Sequence, residues 1–195
     1  MPKISLKGKN LPTSPIRKLS KYATDAKAKG IDVIHLNIGQ PDIDTPAKAL
    51  QAIQSFDKNV LAYGPSEGSL AYRQKMCSYF AKHNIEVQPD DILVTTGASE
   101  AIIMTLDCIT NEGDELIIPE PFYANYDTFA AACGVKVVPV SSTIDSNFSL
   151  PPIDVIEGKI NAKTRAIFIC NPNNPTGYVY SKKELNDLAT LVKKH

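Results

Sequence analysis

The chain has 195 residues, with 21 basic and 21 acidic side chains that cancel. That length carries one full-sized domain with its own core, or a domain plus part of another, and needs neither disulfides nor a metal to fold. The even balance excludes the overall basic field expected of nucleic-acid or anionic-membrane binders, which leaves small-molecule chemistry as the first expectation.

The opening MPKISLKGKNL has no apolar stretch after its basic residues, and no later run is long enough to cross a bilayer, so a soluble cytoplasmic protein is expected. SPIRKLSKYATDAKAKG predicts a helix with Ser14 as N-cap, Pro15 at the first helical position and Gly30 just past the end. A short strand, VIHLN, follows. TPAKALQAIQSF repeats the helical pattern with Thr45 and Pro46 as cap and first turn, and SLAYRQKMCSYFAKH spaces Leu70, Met76, Tyr79 and Phe80 as one helical face. From Asp91 onward, short aliphatic runs, ILVTT, ELIIP, VKVVPV and AIFIC, are separated by the helical stretches SEAIIMTLDCI and YDTFAAAC. That alternation predicts an α/β fold, a mostly parallel sheet with helices on both faces. SKKELNDLATLVKKH closes the chain as a helix with a capping box from Ser181 to Glu184 and with Leu185, Leu188, Leu191 and Val192 on its apolar face. A further strand ordinarily follows such a helix, so the sequence reads as the front part of something larger.

Cys77, Cys108, Cys133 and Cys170 lie far apart in apolar segments, which predicts reduced core residues and no metal site. In VTTGASEAIIM, a predicted strand passes through Gly97, Ala98 and Ser99 into a helix, which gathers unpaired N–H groups and the positive end of a helix dipole where a phosphate would sit well. An ordinary turn capped by Ser99 has the same residues. GPSEG, at Gly64 to Gly68, matches the Gly-x-Ser-x-Gly of a serine-hydrolase elbow, but NVLAY is a poor buried strand and Pro65 fixes φ beside the strained position. The Gly-x-Gly-x-x-Gly and Gly-x-x-x-x-Gly-Lys-Ser/Thr nucleotide patterns are absent. NPNNPTG, Asn171 to Gly177, ends the strand AIFIC at the carboxyl edge of the sheet, where ligands of parallel α/β sheets bind. Its asparagines either present an amide to a ligand or cap their own backbone.

In order, SPIRKLSKYA, LNIGQPDIDTP, YGPSEGSLAYRQ, TTGASEAI, GDELIIPEPFYANY and NPNNPTG resemble the N-terminal half of a class I aminotransferase, the pyridoxal-phosphate family with the aspartate aminotransferase fold. The resemblance implies the fold-type-I transferase architecture, with an N-terminal arm and part of a small domain in residues 1–44 and the first part of the large cofactor-binding domain in 45–195. It implies pyridoxal phosphate as cofactor, amino acids and 2-oxo acids as substrates, and a homodimer with shared sites. Gly97, Ala98 and Ser99 match its phosphate-binding segment, and Tyr63 a tyrosine that reaches the phosphate of the neighbouring subunit. Tyr123 falls where an aromatic ring stacks on the pyridine, in place of the tryptophan of some relatives. Asn174 matches the asparagine on the ring oxygen. Gly39 matches a backbone contact to the substrate carboxylate, and Tyr123 and Asn174 also face the substrate. The resemblance further implies cis bonds at Glu120–Pro121 and Asn174–Pro175.

No catalytic residue is assigned. Transamination needs a lysine bonded to the cofactor and a carboxylate on the pyridine nitrogen, and in the family both follow NPNNPTG at a distance. Lys182, Lys183, Lys193 and Lys194 are too near the turn and read as the solvated face of a helix. Arg17, Arg73 and Arg165 match no substrate clamp and read as surface or local pairing. A lyase or synthase on the same fold shares the cofactor parts. A non-catalytic binding remnant is the expectation if the gene ends at residue 195.

Overall fold

The computed structural model describes residues 3–11, 17–57 and 59–195. In chain order these form helices α1 (Leu6–Asn10), α2 (Ser20–Ala28), α3 (Ala47–Gln54), α4 (Leu70–Ala81) and α5 (Ala98–Ile109), strand β1 (Glu115–Glu120), helix α6 (Asn125–Ala132), strand β2 (Lys136–Ser141), helix α7 (Ile153–Glu157), strand β3 (Thr164–Ile167) and helix α8 (Lys182–Lys194). The described residues up to Val33 together with Ala101–His195 make one compact unit, and those from Ile34 to Glu100 make another.

The first unit is the expected α/β layer. Its strands pair in parallel in the order β2-β1-β3. Leu116 lies opposite Val137 on one side and Ala166 on the other. β1 is buried along its length, so it reads as an unbroken aliphatic run where a half-buried strand would alternate. Leu116 and Ile118 pack with Leu106 of α5 and Ala130 of α6. Ile117 faces the other way, against Ile156 of α7 and Leu188 and Leu191 of α8. Both faces of the sheet are therefore covered, as the alternating pattern predicts.

The Ile34–Glu100 unit has a different texture. Among its described residues no strand forms, so neither ILVTT nor the VIHLN stretch is the expected strand. The segment 92–96 instead runs beside the turn after Tyr63, where the Val94 N–H donates to the Glu67 carbonyl at 3.0 Å. Gly68 has φ +95, and a Cβ there would meet Val94 at 2.6 Å. Arg73 ties this corner together: its guanidinium donates to the Pro89 carbonyl at 2.6 Å and the Gly68 carbonyl at 3.2 Å, beside Glu67 and Asp90. It is the buried residue of α4, only 5% exposed, while Leu70 and Tyr79 of the expected apolar face are exposed. Ser66 sits in a turn with no strand before it, which is not the geometry of a hydrolase elbow.

Several sequence expectations shift by a residue or a role. Gly30 takes φ +78 just past α2, as expected, while Ser14 and Pro15 lie outside the described residues. α3 starts after Pro46, whose carbonyl accepts the first turn's N–H bonds, and Thr45 provides no cap. Ser181 and Glu184 form the expected capping box on α8, but Val192 turns to solvent. The cysteines are unbridged thiols, none of them fully buried, and Cys108 is exposed. Among the described residues no helix is long and apolar enough to cross a membrane, and no cluster is placed to hold a metal ion.

Candidate active site

The turn NPNNPTG explains its own composition. Strand β3 ends at Ile167, and the Phe168 N–H still reaches the Ile117 carbonyl at 2.8 Å before the chain leaves the sheet. Asn171 Oδ1 then accepts the Tyr180 N–H at 2.9 Å. Asn173 Oδ1 accepts from the Thr176 N–H at 3.1 Å and the Thr176 hydroxyl at 3.0 Å, and its own backbone exchanges bonds with Gly177 and Tyr178. Two of the three amides are thus committed to closing the turn. Asn174 is exposed and, among the described residues, its amide has no partner. The capping reading therefore holds for Asn171 and Asn173 and not for Asn174. The Asn174–Pro175 and Glu120–Pro121 bonds are cis, as expected, and so is Asn171–Pro172.

Tyr123 leaves the same edge of the sheet, three residues beyond β1, which is the parallel neighbour of β3. Its ring meets Tyr126 edge-on with centroids 5.4 Å apart. Tyr126 in turn packs on Phe168 at 4.5 Å, which links the segment after β1 to the segment after β3. Burial pushes the Tyr126 phenol above its ordinary range, and the Cys170 thiol beside it adds to the rise. Tyr126 therefore works as a neutral packing group. Asp127, one residue on, is also pushed up, by burial and then by the charge of Glu120.

Gly97, Ala98, Ser99, Tyr63 and Gly39 belong to the Ile34–Glu100 unit. Gly97 takes φ +84 with nothing within 4 Å of where a Cβ would stand. Ser99 is the second residue of α5 and does not cap it. The Glu100 carboxylate accepts the Thr96 N–H at 2.5 Å, and the Gly97 N–H turns back to the Thr95 carbonyl at 2.8 Å. The N–H groups of Ala98 and Ser99 have no partner among the described residues, and both residues are exposed. Open donors at the positive end of a twelve-residue helix fit an anionic group such as a phosphate. Taken separately, each in its own unit, the Ala98 and Ser99 donors suit the phosphate and the Asn174 amide suits the ring oxygen of pyridoxal phosphate. Tyr63 is fully exposed outside any helix or strand, and Gly39 is exposed just past a bend at Asn37 and Ile38, with open space around it.

Sequence reasoning missed the supporting residues. Asn125 donates from Nδ2 to the Tyr123 hydroxyl at 2.7 Å, and Tyr126 and Arg73 brace their neighbours; only adjacency to Tyr123 in ANYDTF points at the first two.

Comparison with known proteins follows the same lines. The family model for aminotransferase class I and II matches residues 31–195. An aspartate aminotransferase of Bacillus sp. (strain YM-2) is 35% identical over 94% of this chain and 47% of its own length. Aromatic-amino-acid aminotransferase 2 of Thermococcus litoralis is 36% identical over 93% of this chain and 46% of its own. The crystal structure of aspartate aminotransferase from Thermotoga maritima superposes with a TM-score of 0.90 at 30% identity, over 98% of this chain and 51% of that one. The chain thus spans about half the length of the curated relatives it matches. With its parallel α/β sheet and its turn motif, the chain belongs to the class I and II aminotransferase family.

Proposed function

We propose that this chain is the first part of a pyridoxal-phosphate-dependent aminotransferase that moves an amino group between an amino acid and a 2-oxo acid. The observation that carries the proposal is the free amide of Asn174, held at the carboxyl edge of the sheet by a turn that satisfies its other two asparagines internally. When bound, the cofactor supplies an electron-withdrawing ring. The residues here bind and orient it. The N–H groups of Ala98 and Ser99, preceded by the open turn at Gly97, hold the phosphate. Asn174 donates to the ring oxygen, Tyr123 covers the ring face, and Tyr63 reaches the phosphate bound in the partner of a homodimer. The Gly39 backbone, with Tyr123 and Asn174, faces the substrate. The catalytic lysine and the carboxylate that anchors the pyridine nitrogen come from sequence beyond this chain. Residues 1–44 are assigned to an arm and part of a small domain, 45–195 to the large domain, and the protein to the cytoplasm.

The test is the complete protein mixed with pyridoxal phosphate and offered aspartate, alanine or phenylalanine in turn. The expected result is a bound-cofactor absorbance band that responds to one of these, with the matching 2-oxo acid formed in proportion to the amino group transferred. Release of ammonia in place of transfer would move the protein to a lyase, and absence of any cofactor band would overturn the proposal.

A further inference from the structure

Tyr123 is held at two points, and the second sets the sense of its hydrogen bonding. The ring plane is fixed by Tyr126, which meets it at 84° and is itself pinned against Phe168. The hydroxyl oxygen accepts from Asn125 Nδ2 at 2.7 Å. A phenol has one proton to give, and an amide N–H aimed at its oxygen cannot receive that proton. Among the described residues the Tyr123 hydroxyl donates to nothing, so the proton needs an acceptor from outside the chain's own network. A donor bond into the oxygen also polarises the O–H and strengthens it as a donor.

We propose that Asn125 is a positioning and specificity-determining residue, whose amide presets the Tyr123 hydroxyl to donate to an anionic oxygen, a carboxylate of the amino-acid or 2-oxo-acid substrate. This rests on the function proposed above. A carboxylate is the matching acceptor because it brings charge-assisted bonding and has no proton of its own to compete. Asn125 never touches the substrate; it acts through Tyr123.

The experiment is a double-mutant cycle on the complete, cofactor-loaded protein, reading equilibrium binding of maleate, acetate and 3-phenylpropionate by calorimetry. Asn125→Ala is expected to weaken binding about 5- to 20-fold when Tyr123 is present. In the Tyr123→Phe background the same change is expected to alter binding by less than about 2-fold. Asn125→Asp, which keeps the shape but takes the phenol proton for itself, is the second variant and must weaken binding more in the Tyr123 background than in Tyr123→Phe. Equal effects in both backgrounds, or failure of the unmutated protein to bind any of the three carboxylates, would overturn the proposal. Cofactor uptake is read first by absorbance: no uptake sinks the functional reading and this inference together, whereas uptake with a flat cycle sinks the inference alone.

Discussion

Asn173 and Asn174 are neighbours in the chain, and the turn gives them opposite tasks. Asn173 accepts two bonds from Thr176, so its loss leaves a half-buried N–H without an acceptor. Asn173→Ala should lower unfolding free energy by about 1 to 2 kcal/mol. Among the described residues Asn174 bonds to nothing, so Asn174→Ala should stay within about 0.5 kcal/mol of the parent in the absence of cofactor. The same Asn174→Ala should weaken retention of pyridoxal phosphate by about 10-fold, measured by dialysis of the complete protein. Thermal unfolding and dialysis together separate the two roles; if Asn174→Ala destabilised the apoprotein as much as Asn173→Ala, the assignment of Asn174 to a ligand would fail. Residue type alone marks all three asparagines of the motif alike, and only the family resemblance singles out Asn174. Which of them the backbone consumes depends on where the turn closes, and only the geometry decides that. Arg73 was hidden for a related reason: an arginine on a helix reads as solvated until its carbonyl partners, from Gly68 and Pro89, are brought together by the chain reversal between them.

At the scale of elements, the strands that were legible are those that join one parallel ladder, although only the central β1 is largely buried and β2 and β3 are not. β1 and β2 pair through the short connection over α6, and β3 returns to β1 from the other side. ILVTT has the same composition but pairs with no strand among the described residues, because a strand is defined by its ladder as well as by its side chains. α8 was read nearly whole because a capping box is local. Glu184 does more there than close the box: it accepts from Ser181 N–H at 2.7 Å, from the Leu150 N–H at 2.8 Å and from the Tyr178 hydroxyl at 3.1 Å. Burial raises the Glu184 pKa, but the Ser181, Leu150 and Tyr178 hydrogen bonds outweigh it and hold the carboxyl below its ordinary value. A depressed carboxyl contributes stability that is present above its unfolded value, about 4.3, and is lost as pH falls through the lower folded value. Glu184→Gln should therefore be less stable than the parent at pH 7, with the gap closing below about pH 4. A gap unchanged across that range in denaturant titrations would mean the charge contributes nothing. Two of the four lysines of α8 are engaged in surface pairing, Lys183 with Asp187 and Lys194 with Glu157, and all four are exposed. Isolated residues 1–195 treated with pyridoxal phosphate and borohydride should accordingly show no adduct concentrated at one lysine, and mass spectrometry finding one would place the cofactor-bonding lysine inside this chain.

At the scale of the molecule, the fold class was readable from the alternating pattern, while a homodimer is implied only by the family resemblance. Single positions gave no warning that Ile34, Leu36, Ile43 and Leu61 would be largely exposed, since aliphatic residues in a polar context look the same whether their cover is their own unit or another chain. Tyr63 belongs to the same unit and is itself fully exposed. In the proposed homodimer its hydroxyl donates to the phosphate held by the partner's α5, so its contribution exists only while two protomers are joined. For the complete protein at a concentration that favours the dimer, Tyr63→Phe should release pyridoxal phosphate about 5- to 20-fold more readily than the parent, the worth of one hydrogen bond to a charged group. On dilution until sedimentation shows monomers, the parent should fall to the level of Tyr63→Phe, because a monomer has no neighbour's tyrosine to lose. Asn174→Ala, acting within its own chain, should keep its deficit at every concentration. A Tyr63→Phe deficit that persisted undiminished in the monomer would place the tyrosine in its own protomer's site and remove the main support for shared sites.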